Sequence, residues 1–379
     1  MDKRCIMPGD AAGLGRVVRA GPFLFVGGCD GHRELDSGRI VAELAGNAKA
    51  QCENAYGRLA RSLNEAGSSP SAVVRLDHVT SSQDWLPIRQ SVRERMFGKP
   101  APLASTGVAA RMSGINMLTA FAMACADAGT KEVLLPGPRY GMANIAAAVR
   151  GGPLVFVSGI RGGVDPRDGR AVAEEAPDAF AAQTRVVYSL IESILAHCGL
   201  KPRSILRIDS WLRDSARAAE DEANCREVLG PVQYASTRTA LPLSARGETE
   251  VTVLAAGPGV DKEINDDRGG PTVTSAAGFH FVGECRGIEG PPAAANLTLI
   301  ANPRAQLSRA LSVLDTALRN CGSELSKTVR LEVYLRDIYF AVAAHAMLRG
   351  TFGEDGPAVA IIGADLESPV EIKLNAIAI

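Results

Sequence analysis

One stretch recurs three times in this chain, and it constrains the fold more than any other feature of the sequence. Gln51, Gln183 and Gln306 each stand 16 residues before a glycine: Gly67, Gly199 and Gly322. Eight residues further on comes an arginine in an apolar run (Arg75, Arg207, Arg330), and two later an acid (Asp77, Asp209, Glu332). No gap is needed within any copy. Four positions held in register three times indicate a tandem triplication, with copies spaced by 132 and 123 residues.

Each copy has a physical reason to look this way. Between Gln and Gly the second copy places Val187, Ile191, Ile194, Leu195 and Cys198 at i, i+4, i+7, i+8 and i+11. That is one apolar stripe on a helix. The first copy fills the same positions with Ala55, Leu59, Ser62, Leu63 and Ala66, the third with Ala310, Leu314, Ala317, Leu318 and Cys321. The glycine supplies the left-handed residue that ends the helix. The period then changes to two: Val74 and Leu76, Leu206 and Ile208, Val329 and Leu331 alternate with the arginine and the acid. A half-buried strand reads this way, with its apolar side toward the helix and the charges on the other.

Around this core, each copy opens with two strands across a turn, ending at Val26, Val157 or Val282. A Gly-rich crossing leads to the long helix. After the charged strand come a second helix (86–97, 216–229, 340–352) and two closing strands. Junctions rich in Gly, Pro and charge fall near 126–144 and 257–271. This order predicts α+β units, each a mostly antiparallel sheet with two helices on one face. The domains are expected at 1–128, 135–257 and 270–379. Each is long enough for its own core.

Composition narrows the class. A net charge of −1 from 41 basic and 42 acidic residues leaves no nucleic-acid footprint. No run approaches the roughly 18 apolar residues of a membrane span, and the N-terminus has no apolar signal region. Eight cysteines form no CxxC pair; a reduced, cytoplasmic setting suits them better than a disulfide framework. His32, His78, His197 and His345 show no metal spacing, so no zinc site is expected. The Gly-rich crossings lack a phosphate-loop pattern, and no cofactor is expected.

The FVSG at 156–159, the Gly-to-strand passages after the long helices and the final VEIKLNAIAI resemble the marks of the Rid (YjgF/YER057c/UK114) family, and all three units share the resemblance. It implies chorismate-mutase-like units that trimerise, with ligand clefts between subunits. One chain would then supply an intramolecular pseudo-trimer around a central barrel, alone or as a dimer of pseudo-trimers. Covalent linkage would replace the association entropy of three chains. The six repeated charges would line that barrel, as an ion-pair ring or as part of a ligand site.

In active Rid enamine/imine deaminases a "PARS" arginine holds the substrate carboxylate, and a glutamate on the last strand helps place the hydrolytic water. In this sequence the arginine position falls in 102–105, 234–237 and 357–360, with no arginine in register, and the glutamate position reads Thr119, Thr252 and Lys373. Other residues must carry any chemistry. Arg238, where copy one has Gly107, is a candidate carboxylate clamp or a solvated hairpin arginine. Ser158 could orient a carbonyl or simply be a turn serine. His280 and Glu284 share parity on one strand and could move protons, or be solvated at its end. Arg161, Arg286 and Cys285 complete the candidate set. The retained cleft is expected between copies two and three, where the polar departures concentrate. The expectation is a small-molecule enzyme that hydrolyses, deaminates or eliminates from an anionic, carboxylated or carbonyl substrate. The alternatives are a chorismatase-like hydrolase or lyase, or a non-catalytic binding or scaffold protein. Near-zero charge and 5% aromatic residues argue against a ribonuclease.

Overall fold

The repeated glutamines show how each copy is locked. In the computed structural model, which describes residues 1–8, 15–34, 37–163, 179–243, 247–265, 270–288 and 302–379, each lies near the start of a long helix. Its side-chain oxygen accepts the backbone N–H just before the last strand of its unit: Met117 for Gln51 (2.7 Å), Glu248 for Gln183 (2.8 Å) and Glu371 for Gln306 (2.8 Å). A buried amide thus ties helix to sheet across more than 60 residues of chain, which explains why Gln recurs. The glycines do what the sequence predicts. Gly67, Gly199 and Gly322 have φ of +76°, +72° and +81°, and the next N–H in each case returns to the carbonyl of Leu63, Leu195 or Leu318.

The first unit comprises β1 (Lys3–Pro8), β2 (Gly15–Ala20), β3 (Phe23–Asp30), α1 (Ala48–Glu65), β4 (Val73–Thr80), α2 (Leu86–Phe97), β5 (Ala104–Ala109) and β6 (Leu118–Cys125). The second repeats it as β7 (Lys131–Pro136), β8 (Ala146–Gly151), β9 (Leu154–Arg161), α3 (Ala179–His197), β10 (Ile205–Leu212), α4 (Ala218–Leu229), β11 (Ala235–Ala240) and β12 (Thr249–Ala256). The third runs β13 (Glu263–Asn265), β14 (Val273–Ala276), β15 (Phe279–Arg286), α5 (Pro303–Asn320), β16 (Thr328–Leu335), α6 (Ala341–Phe352), β17 (Ala358–Gly363) and β18 (Ile372–Ala378). Strand order is the same in each: first, second, third, sixth, fourth, fifth. All pairs within a unit are antiparallel except the fourth with the fifth, which the intervening helix makes parallel. The long helices cover the third and sixth strands, and the shorter helices pack beside them. Much of the Gly-rich crossings of the second and third units lies outside the described residues.

Two expectations change. The junctions are not plain linkers: each next unit begins there with an outer strand, β7 or β13, matching β1. Their shortness and their Pro- and Gly-rich flanks hid them. The sheets are also not three separate ones. A parallel pairing of Ala358 with Gly15 joins the first and third units in a 12-stranded sheet, beside a six-stranded second unit. Further contacts between units place β5 against β9, β11 against β15 and β17 against β3.

The six repeated charges meet at these contacts. Arg75 pairs with Asp77 (2.8 Å), Arg207 with Asp209 (2.9 Å) and Arg330 with Glu332 (2.6 Å). Arg330 also reaches Asp77 (2.7 Å), Arg207 reaches Glu332 (3.0 Å), and Arg75 reaches Asp209 (3.8 Å) and the Thr252 hydroxyl (3.1 Å). All six are buried. This ion-pair ring, rather than a ligand site, is the role the strand parity left open. Among the described residues, no helix is long and apolar enough to cross a membrane.

Candidate functional site

Register makes the three copies comparable position by position. Gly107 lies opposite His78, Arg238 opposite Ser210, and Ile361 opposite Val333. The fourth residue of the short helix is Arg89, Asp221 or Ala344, and the eighth is Arg93, Cys225 or Leu348. One location therefore carries three different chemistries.

In the third unit it is apolar: Leu311, Val333, Ala344 and Leu348 are core. In the second it fills itself. Arg238 Nε donates to Asp221 at 3.0 Å, and Tyr188 donates to the same carboxylate at 2.9 Å. Arg238 Nη1 is taken up by Ser236 at 3.0 Å. Burial raises the Asp221 carboxyl pKa although Arg238 opposes it.

In the first unit no acid among the described residues is in ion-pair contact with the cations. Arg89 and Arg93 lie one helical turn apart on α2, on the same face, and both are 4% exposed. Nε of each, and Nη1 of Arg89, are buried without a hydrogen-bond partner among the described residues. Arg93 Nη2 reaches only the Asn144 carbonyl, at 3.5 Å. Burial, aided by Arg93 and Arg161, drives the Arg89 pKa down to about 10, although Tyr56 and Glu250 work the other way. Beside them His78 is buried with both ring nitrogens unpartnered. These groups line a cleft of about 620 Å³ between the first and second units.

The opposite wall comes from the second unit: Tyr140 and residues 141–145, Arg161 on β9 and Glu250 on β12. Glu250 is 4% exposed, accepts the Thr106 hydroxyl on Oε1 and faces Arg161 from Oε2 at 3.7 Å. Two glycines hold the space open. A Cβ on Gly107 would collide with His78 Nε2 and Arg89 Nη1, and one on Gly159 with Glu250 and Thr106. The same two positions at the second seam are Arg238 and Glu284, charges that occupy the room.

Most of the sequence-chosen residues have other work. Arg238 is committed to Asp221 and is not a free clamp. Ser158 is buried in a seam contact, donating to the Ala146 carbonyl (2.6 Å) and accepting the Ser105 N–H (2.9 Å). His280 and Glu284 do not converge. A bulge between Val282 and Cys285 breaks the strand's alternation, so His280 hydrogen-bonds Ser275 (2.7 Å) while Glu284 meets Lys373 (3.2 Å). Arg286 pairs with Glu284 and with Glu367 (2.8 Å). Cys285 is buried, its thiol near the Gly283 carbonyl at 3.6 Å. Arg238, Glu284 and Arg286 do border a second cleft of about 510 Å³, with their charges paired. Arg161 alone of the set lines the larger of these two clefts, which lies between copies one and two, whereas the polar departures of copies two and three border the smaller one.

Sequence reasoning missed Glu250 through a register slip of two. Thr119 lies opposite Val79 and Lys373 opposite Tyr334; the equivalent pair in the second unit is Glu250 with Trp211, not Thr252. Counting from the repeated arginine as in the third copy finds it, since Lys373 follows Arg330 by 43 residues as Glu250 follows Arg207; the first copy is one residue longer over this stretch. Arg89 and Arg93 carried a weaker signal: two arginines four apart where the other copies have Asp and Cys, or Ala and Leu.

The sequence matches no known family's profile, and no curated protein matches it. Among solved structures a chorismatase aligns over 82% of this chain and 93% of its own, at 14% identity and a TM-score of 0.53. A member of the YjgF/YER057c/UK114 family from Mycobacterium tuberculosis covers 33% of this chain and 98% of its own, at 23% identity and a TM-score of 0.27. A putative endoribonuclease from Thermotoga maritima covers 30% and 87%, at 21% identity and 0.27. The fold of this chain resembles that of the chorismatase, at low identity.

Proposed function

We propose that this protein is an enzyme that binds a small carboxylated molecule between its first and second units and hydrolyses it or eliminates from it. One observation carries the reading: Arg89 and Arg93 are buried in the wall of a cleft, and no acid among the described residues is in ion-pair contact with either. A buried charge without a counter-ion costs several kcal/mol, and a ligand carboxylate would offset that cost with charge-assisted, bidentate hydrogen bonds. Arg161 on the facing wall suits a second anionic group. In this reading Glu250 gives a proton to the oxygen of the bond that breaks and recovers one from the water that adds.

The chorismatase likeness in fold supports this version over the deaminase, because it spans most of both chains and both readings use a carboxyl acid with arginine clamps. The deaminase version keeps one point in its favour: Glu250 stands in the register that the Rid family's water-placing glutamate holds. The family's strand arginine is absent, and in this reading α2 supplies the cations in its place. We further propose that 1–128, 135–257 and 270–379 act as three domains of an intramolecular pseudo-trimer, closed around the ion-pair ring as a central barrel. Only one of its three seams would then be used.

The test incubates the protein with chorismate and, separately, with freshly generated imines, and follows pyruvate or keto-acid release. Loss of pyruvate release in Arg89→Ala and Glu250→Gln, with the fold intact, is the expected result. Keto-acid release alone would favour the deaminase. Carboxylate binding with neither product would make the chain a binding protein.

A further inference from the structure

His78 stands beside the two arginines in the lining of this cleft. It sits on β4, 1% exposed, with neither Nδ1 nor Nε2 bonded. Its ring packs edge-on to Tyr56 of α1, with centroids 6.4 Å apart. The missing side chain of Gly107 leaves Nε2 and Arg89 Nη1 facing one small space. Its charged and titratable neighbours are Tyr56 and Cys52 on α1 and Arg89 and Arg93 on α2, with Glu250 and Arg161 across the seam. Burial and the two guanidiniums push its pKa well below the ordinary histidine value, which favours the neutral imidazole.

We infer that anion binding in this cleft is coupled to proton uptake by His78, which then donates a hydrogen bond to the bound ligand. The inference rests on the reading of the cleft as a carboxylate site. A carboxylate on Arg89 and Arg93 cancels the repulsion that keeps the imidazole neutral and offers its unpartnered nitrogen an acceptor. The proton comes from solvent, and the complex gains one positive charge beyond that of the ligand and the free protein. Affinity for anions must then rise as pH falls through the neutral range.

Calorimetry of the full chain with malonate, in HEPES and in Tris at pH 7, separates the two claims. Binding whose apparent heat differs between the buffers, with uptake on the order of half a proton or more, is the expected result. Malonate binding with the same heat in both buffers would overturn the coupling and leave the carboxylate site standing. Failure of malonate to bind would remove both. His78→Gln should bind malonate with the buffer dependence abolished. If that variant does not fold, the wild-type His78 Cε1–H resonance decides. It should stay at its neutral position from pH 5.5 to 8 without malonate and titrate with it. A titration unchanged by malonate would overturn the proposal.

Discussion

At the scale of single residues, the three copies are a natural substitution series at one location. Gly107 with Arg89 leaves space and bare cations, Arg238 with Asp221 fills the space with an ion pair, and Ile361 with Ala344 makes it apolar. Two predictions follow the physics of buried charge. Arg89→Leu should raise the stability of the empty protein by about 1 kcal/mol or more, because it removes a desolvated cation without a partner. The same change should weaken malonate binding at least tenfold; thermal unfolding and calorimetry on one preparation check both. Gly107→Arg should destabilise by placing a further cation beside Arg89. Adding Arg89→Asp should recover stability by recreating the Arg238–Asp221 pair, while malonate binding stays lost. A double-mutant cycle in urea, with a favourable coupling above about 1 kcal/mol, is the readout.

Among the elements, the outer strands are the part the sequence concealed, and they carry a repeated device. Lys3 and Lys131, on β1 and β7, and Lys262, just before β13, each reach back to a different unit. Lys3 donates to the Ser326 carbonyl at 2.9 Å, Lys131 to Ser71 at 2.7 Å and Lys262 to Ile205 at 2.5 Å. Burial lowers each pKa to about 8. The sign follows from linkage: between that value and the unfolded lysine's 10.5, the unfolded chain binds more protons, so these groups make stability rise with pH. Several buried thiols, Cys52 among them, are shifted upward and act in the opposite sense above about pH 9. The lysine effect is therefore read between pH 8 and 9. The urea midpoint should climb over that interval in the wild type and climb less in Lys131→Met.

Across the whole molecule, the ion ring makes the three units depend on one another. Arg207 of the second unit holds Glu332 of the third, and Arg330 of the third holds Asp77 of the first. Burial opposes ionisation of Glu332, yet Arg330, Arg207 and Arg75 keep its carboxyl well below the usual range. Glu332→Gln would leave two buried guanidiniums short of charge and should cost about 3–5 kcal/mol. It should still unfold in a single urea transition, because the damage is shared between units. Separate transitions for the units would contradict that.

What the sequence determined by itself is what local rules write into it. Helix stripes, glycine stops and strand alternation depend on residues a few positions apart, so the repeated unit and most of its elements were legible from Gln51, Gly67, Arg75 and their counterparts. The bulge that parts His280 from Glu284 was not, since a single extra residue in a strand leaves no periodic trace. Nor was the site. Whether an arginine is a clamp or a core ion depends on what faces it across a seam, and that partner can lie anywhere in the chain. Arg238 finds Asp221 within its own unit, whereas Arg89 lines a cleft whose far wall begins 51 residues later, at Tyr140. Only the tertiary structure brings Glu250, Thr106 and Arg89 around one space, because contact, unlike propensity, is decided by packing between units.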